Sequence, residues 1–146
     1  MKLYKIKKSK IDNLGLYANC NIKKGSKIIE YKGKIITHKK TEKDPKFDNE
    51  KAIYLFNLNK RYDLDGDFKF NTARLINHSC EPNCEVTGTG LKIWVYSIKD
   101  IKIGDELSYD YGFSFDRDYK DFPCKCRSKN CCGYIIREGS RWRIKK

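Results

Sequence analysis

The segment RLINHSCEPNCEV, Arg74–Val86, concentrates an Arg, two Asn, a His, two Cys and a Pro in thirteen positions. Pro82 and the polar run make it poor material for a helix or a strand. Imidazole, thiol and amide groups are the side chains that ligate metals and hold polar ligands. A second concentration lies further along: CKCRSKNCC places Cys124, Cys126, Cys131 and Cys132 within nine residues. Structural zinc takes four thiolate or imidazole ligands in a tetrahedron. The Cys-x-Cys pair and Cys131 supply three of them. The fourth is either Cys132, whose adjacency to Cys131 makes shared chelation awkward, or a distant residue such as Cys80. The chain has seven cysteines, an odd number that does not complete a disulfide framework. In a reducing compartment clustered thiols bind metal more often than they pair. Cys20 and Cys84 read as small packing residues.

Short β elements must position these groups. Residues 27–31, 34–37, 52–58, 91–97 and 106–111 have strand character. The stretches between them, KKGS, YKGK, DLDGD, TGTG and KIGDE, carry the Gly and Asp that turns require. This pattern predicts a mostly β domain. The polar stretch 38–51, which contains Pro45, reads as a surface insert with a helical part. Residues from Phe122 onward are cysteine-rich and then basic, and read as a small element docked on the main body.

The length of 146 residues suits one domain and one core. No stretch approaches the roughly 20 apolar residues of a membrane span. The start, MKLYKIKKSKID, is basic and lacks the apolar segment of a signal peptide, so an intracellular setting is expected. The net charge is +13, and residues 1–46 carry 14 Lys against the acids Asp12, Glu30, Glu42 and Asp44. Two readings of that bias stand: a solvated, solubilising surface, or a face for polyanions such as nucleosomal DNA.

RLINHSCEPN, GDELSYDYGF and CKCRSKNCCGYI, in that order, resemble the SET-domain protein lysine methyltransferases with their post-SET zinc motif. SKIDNLGLYAN (9–19) is similar to the family's N-terminal Gly-x-Gly loop, and IKKGSKIIEYKGKII (22–36) to the strand pair after it. The resemblance covers about residues 3–136. It implies small β-sheets with a C-terminal pseudoknot, an exception to unthreaded connections. It divides the chain into a SET domain over 1–121, with an insert of about 38–65, and a post-SET zinc segment and basic tail over 122–146.

The resemblance also implies roles. S-adenosylmethionine would lie against Leu14, Gly15 and Leu16 and against Arg74, Asn77 and His78 of the Arg-x-x-Asn-His motif. Asn13 stands where the family's first Gly falls, and Asn tolerates left-handed backbone. Phe70 stands where many relatives carry Gly. Tyr111 matches the catalytic tyrosine, and Tyr31 is a second candidate for the substrate channel, or an ordinary packed tyrosine. Tyr109 stands where Tyr and Phe alternate in the family and implies a mono- or dimethyl product. Cys80, Cys124, Cys126 and Cys131 would hold Zn2+, with Cys132 outside the set. Tyr134 and Trp142 would close one wall of the channel.

The implied function is protein lysine N-methylation, on histone tails first of all. That places the protein in the nucleus or on chromatin, whether its source is eukaryotic, viral or a host-directed effector. A groove for a basic tail should be acidic, and Asp63, Asp65 and Asp67 or Asp116, Asp118 and Asp121 are the clusters that could supply it. The rival classes are a non-catalytic SET-like module that binds chromatin or protein, and a zinc-anchored nucleic-acid-binding domain. The second leaves NHSC and SYDYGF unexplained.

Overall fold

The computed structural model describes residues 2–47 and 54–144. Its strands are β1 (Tyr4–Lys8), β2 (Leu14–Ala18), β3 (Lys27–Tyr31), β4 (Lys34–Thr37), β5 (Leu55–Asn57), β6 (Tyr62–Asp65), β7 (Asn77–His78), β8 (Cys84–Thr89), β9 (Lys92–Ser97) and β10 (Ser108–Tyr109). They form four small sheets, ordered β1-β2, β3-β9-β8, β4-β6-β5 and β10-β7. The described α-helix, α1, spans only His38–Lys43. The mostly β fold expected from the sequence is the one the chain adopts. Among the described residues no helix is long and apolar enough to cross a membrane. By contacts the chain divides into two compact units. The first comprises Met1–Ile28, Leu75–Glu85 and Tyr96–Lys146; the second comprises Ile29–Arg74 and Val86–Val95.

In the first unit, Leu16, Ala18, Ile76, Leu107 and Ile136 are fully buried. The β1–β2 hairpin was not legible as strands. Its first strand, YKIKK, is exposed at Lys5–Lys8, and its second begins inside the stretch read as a loop. The loop proper is 9–13, closed by the Ser9 N–H donating to the Asn13 carbonyl at 2.7 Å. Asn13 has φ 44°, the left-handed backbone expected of the residue replacing glycine. β7 and β10 pair in parallel, with Asn77 opposite Ser108 and His78 opposite Tyr109. Parallel neighbours need a long connection rather than a hairpin, and here it carries β8 and β9.

In the second unit β6 lies between β4 and β5, antiparallel to both. This corrects the reading of DLDGD as a turn and an acidic surface. Asp63 and Asp65 sit on β6 and are 2% and 4% exposed. Buried carboxylates need partners, and both have them. Asp63 accepts from the Thr41 hydroxyl at 2.7 Å, the His38 ring at 2.8 Å and the Asn57 amide at 2.9 Å. Burial alone would raise its pKa; the three hydrogen bonds outweigh burial and hold the carboxyl below its ordinary range. Asp65 accepts from Lys46 at 2.6 Å. Neither charge is left over for a groove. The helical part of the insert is α1, capped by the Thr37 hydroxyl, which accepts from the Lys40 N–H. Residues 48–53 of the insert lie outside the described residues, as do the first two positions of the expected strand 52–58.

Candidate active site and metal centre

The polar run RLINHSCEPNCEV lies in the first unit from Leu75 to Glu85. Ile76 is its buried anchor. The Asn77 side chain turns toward the 9–13 loop. Its Nδ2 lies 2.9 Å from Ser9 Oγ, 3.0 Å from the Asp12 carbonyl, 3.2 Å from the Leu14 carbonyl and 3.0 Å from Glu106 Oε1. Among the described residues no hydrogen bond reaches its Oδ1. Gly15 and Leu16 are buried beside this loop on β2. A Cβ on Gly15 would overlap the Glu106 carboxylate, so the close approach of that side chain requires glycine there.

His78 is 3% exposed. Its Nδ1 accepts the Tyr111 N–H at 3.0 Å, which puts the proton of the neutral ring on Nε2. That nitrogen faces Cys80 Sγ at 3.8 Å. One imidazole thus bridges the backbone of Tyr111 and a thiol. The Tyr111 hydroxyl donates to the Ile76 carbonyl at 2.6 Å. Its ring centroid lies 4.9 Å from that of Tyr109, 5.4 Å from His78 and 5.7 Å from Phe113. These rings form a continuous aromatic cluster, with Tyr109 itself buried.

Cys80, Cys124, Cys126 and Cys131 converge with all four sulfurs within 4.8 Å of one another. A tetrahedral zinc with bonds of 2.3 Å needs sulfurs about 3.8 Å apart, and Cys80 and Cys124 are 3.8 Å apart. Backbone N–H groups already point at sulfur: Cys80 N–H at Cys126 and Gly133 N–H at Cys131. Such donors orient and stabilise thiolates. A hydrogen bond from the Cys124 thiol holds Cys80 well below the usual thiol range, and the same contact pushes Cys124 up. The Cys132 thiol donates instead to the Tyr134 carbonyl at 3.2 Å, outside the set. Cys84 is a buried packing residue, and burial pushes its thiol up to about 12.

Three contributors were not legible in the sequence. Ser9 and Glu106 hold Asn77 as described. Arg141 donates to the Cys80 carbonyl at 2.8 Å, to Asp110 at 3.0 Å and to the Ile136 carbonyl at 3.0 Å. It fastens the C-terminal segment to the cysteine loop, yet in REGSRWRIKK it looks like any other basic residue. Trp142 is 78% exposed on the 3-10 turn Glu138–Arg143, and Tyr134 packs edge-on against Tyr119. Tyr31 and Arg74 belong to the second unit. Tyr31 is buried against Phe56, with ring centroids 4.7 Å apart. Arg74 Nε donates to the Phe68 carbonyl at 3.0 Å.

The family model of the SET domain matches residues 13–112, and the chain belongs to the SET domain family. It is 38% identical over 130 residues to Histone-lysine N-methyltransferase 2D of Homo sapiens, a match covering 85% of this chain and 2% of that protein. It is 40% identical over 135 residues to Histone-lysine N-methyltransferase, H3 lysine-4 specific, of Schizosaccharomyces pombe, covering 87% of this chain and 14% of that protein. It is also similar to Histone-lysine N-methyltransferase set1 of Dictyostelium discoideum, 39% identical over 137 residues, covering 89% of this chain and 9% of that protein. The chain therefore spans a small fraction of the length of these relatives.

Proposed function

We propose that the chain is a protein lysine N-methyltransferase that uses S-adenosylmethionine and acts on histone tails. The observation that carries this reading is the β7–β10 pair. It holds Asn77 and His78 beside Tyr109 and fixes Tyr111 through both its N–H and its hydroxyl. The names of the relatives support the histone, and one of them makes lysine 4 of histone H3 the first site to test.

Bound S-adenosylmethionine would supply a methyl group on a sulfonium, which an amine displaces in line. The rest falls to positioning by the chain. Leu14, Gly15, Leu16, Asn77 and His78 are proposed to hold the cofactor. Asn77 fits that task, since it offers an outward amide oxygen. Tyr111 would align the substrate amine, its hydroxyl anchored by the Ile76 carbonyl. The amine must be neutral to react, against a free pKa of about 10.4, and the apolar rings of Tyr109, Tyr111 and Phe113 favour the neutral form. His78 is not a base in this scheme, because its nitrogens already face Tyr111 N–H and Cys80. A hydroxyl at Tyr109 limits room for added methyl groups, giving a mono- or dimethyl product. Cys80, Cys124, Cys126 and Cys131 would hold Zn2+ in a closed, structural set. A SET domain over 1–121 followed by a post-SET segment over 122–146 is part of the same proposal.

Chromatin is the proposed location. Lys2, Lys5, Lys7, Lys8, Lys10, Lys23 and Lys24 are exposed, and none forms an ion pair among the described residues. They are available to nucleosomal DNA. Lys46, by contrast, is taken by Asp65.

The test is methyl transfer from labelled S-adenosylmethionine to core histones and nucleosomes. Label on histone H3 that disappears in Tyr111→Phe supports the reading. Label absent from every histone, with donor binding intact, removes it. Mass spectrometry of the Tyr109→Phe product should reveal a higher methylation state; the same product as wild type discards that role. Salt-insensitive binding to DNA would discard the lysine face.

A further inference from the structure

We infer that Ser9 and Glu106 are positioning residues that lock the Asn77 amide with its oxygen outward, so that the site selects a ligand carrying a free amine. The inference rests on the proposed cofactor reading and deepens it. Asn77 Nδ2 faces four oxygens. Two are backbone carbonyls and one is a carboxylate, none of which can donate. Turning the amide over would set its oxygen against all three. The orientation is therefore forced by chemistry, not by packing alone.

Ser9 and Glu106 complete the lock. The single Ser9 hydroxyl proton goes to Glu106 Oε1 at 2.6 Å. The lone pairs of Ser9 accept from the N–H groups of Ile11 at 2.8 Å and Asp12 at 3.1 Å as well as from Asn77. Glu106 Oε2 takes the Tyr17 hydroxyl at 3.3 Å. Ser9 and Glu106 are 97 residues apart. The bridge between Tyr17 and Glu106 brings them together, and Gly15 leaves the room. What remains for a ligand is Asn77 Oδ1, an acceptor with negative charge arrayed behind its amide. It attracts an ammonium group and offers nothing to a carboxylate. Removing Glu106, or the Ser9 hydroxyl that donates to it, leaves only the Asp12 and Leu14 carbonyls to oppose a flip and weakens the lock.

Calorimetric titration with two probes tests this: S-adenosylhomocysteine, and its analogue with hydrogen in place of the amine. Wild type should bind the amine form at least about tenfold tighter, as a charge-assisted hydrogen bond provides. Glu106→Gln and Ser9→Ala should lower that ratio to about twofold while binding the deaminated probe as wild type does. Ser9→Thr should restore the ratio. A merely structural role would weaken both probes together. Variants that keep the wild-type ratio overturn the inference, as does a wild type that binds both probes alike. Should both variants fail to fold, exchange of the Asn77 side-chain amide protons in labelled wild type decides. Slow exchange upholds the lock and fast exchange overturns it. A wild type that binds neither probe instead sinks the methyltransferase reading, and this inference with it.

Discussion

Asp63 in the second unit and Glu106 in the first each gather three side-chain donors. Asp63 takes Thr41, Asn57 and His38; Glu106 takes Ser9, Asn77 and Tyr17. The arrangements differ in where the donors lie. Those of Asp63 serve the local fold: Thr41 belongs to α1, Asn57 to β5, and His38 begins the helix. Around Glu106, Asn77 keeps a second polar atom turned outward. Asp63 ties α1 and β5 to β6, whereas Glu106 fixes the orientation of an amide whose oxygen faces outward.

The largest expected effect is that of Asp63→Ala. It removes three hydrogen bonds to one buried carboxylate and empties its place, and should lower unfolding stability by about 3 kcal/mol in a urea titration. Affinity for S-adenosylhomocysteine should stay unchanged; a fall in the folded variant would break the contrast. Gly15→Ala comes next. Its Cβ meets Glu106, and a cost of about 2 kcal/mol is expected from overpacking, together with weaker donor binding. Loss of stability without loss of binding would show that the Glu106 cluster is structural after all.

Acid should sharpen the comparison on the Asp63 side. Its folded pKa is lowered, so its contribution is fully present above the unfolded value of about 3.9 and is lost as pH falls through the folded value. Asp63→Asn should therefore flatten the acid limb of stability below about pH 4, read by circular dichroism. The smallest effect belongs to His38→Gln. That side chain is 46% exposed, and the change should cost under about 1 kcal/mol in the same titration.

The parts of the chain legible in the sequence share one property: their signal is local. The cysteines of CKCRSKNCC announce a metal set by spacing, and Asn13 announces left-handed backbone by its type. DLDGD misled because acidic residues beside glycine usually mark turns. Here the compensating donors come from Thr41 and His38, well upstream. YKIKK gave no strand signal because four of its five residues face solvent. Ser9 and Glu106 were silent for the plainest reason, since nothing in a hydroxyl at one end of a chain points to a carboxylate 97 residues away.

That separation has a meaning in time as well as in space. During synthesis the 9–13 loop leaves the ribosome long before Glu106, and β7 waits for β10 until everything from Ser79 to Leu107 has been made. Local hairpins such as β1–β2 close quickly, whereas distant pairings close last. For that interval Asn77 lacks the carboxylate that completes its lock, and Cys80 has none of its three partner thiols. The nascent chain thus passes through a stage in which its ligand loop and first metal-binding cysteine are both present and both unset. A thiol reagent or a chaperone arriving then meets a different molecule from the finished one.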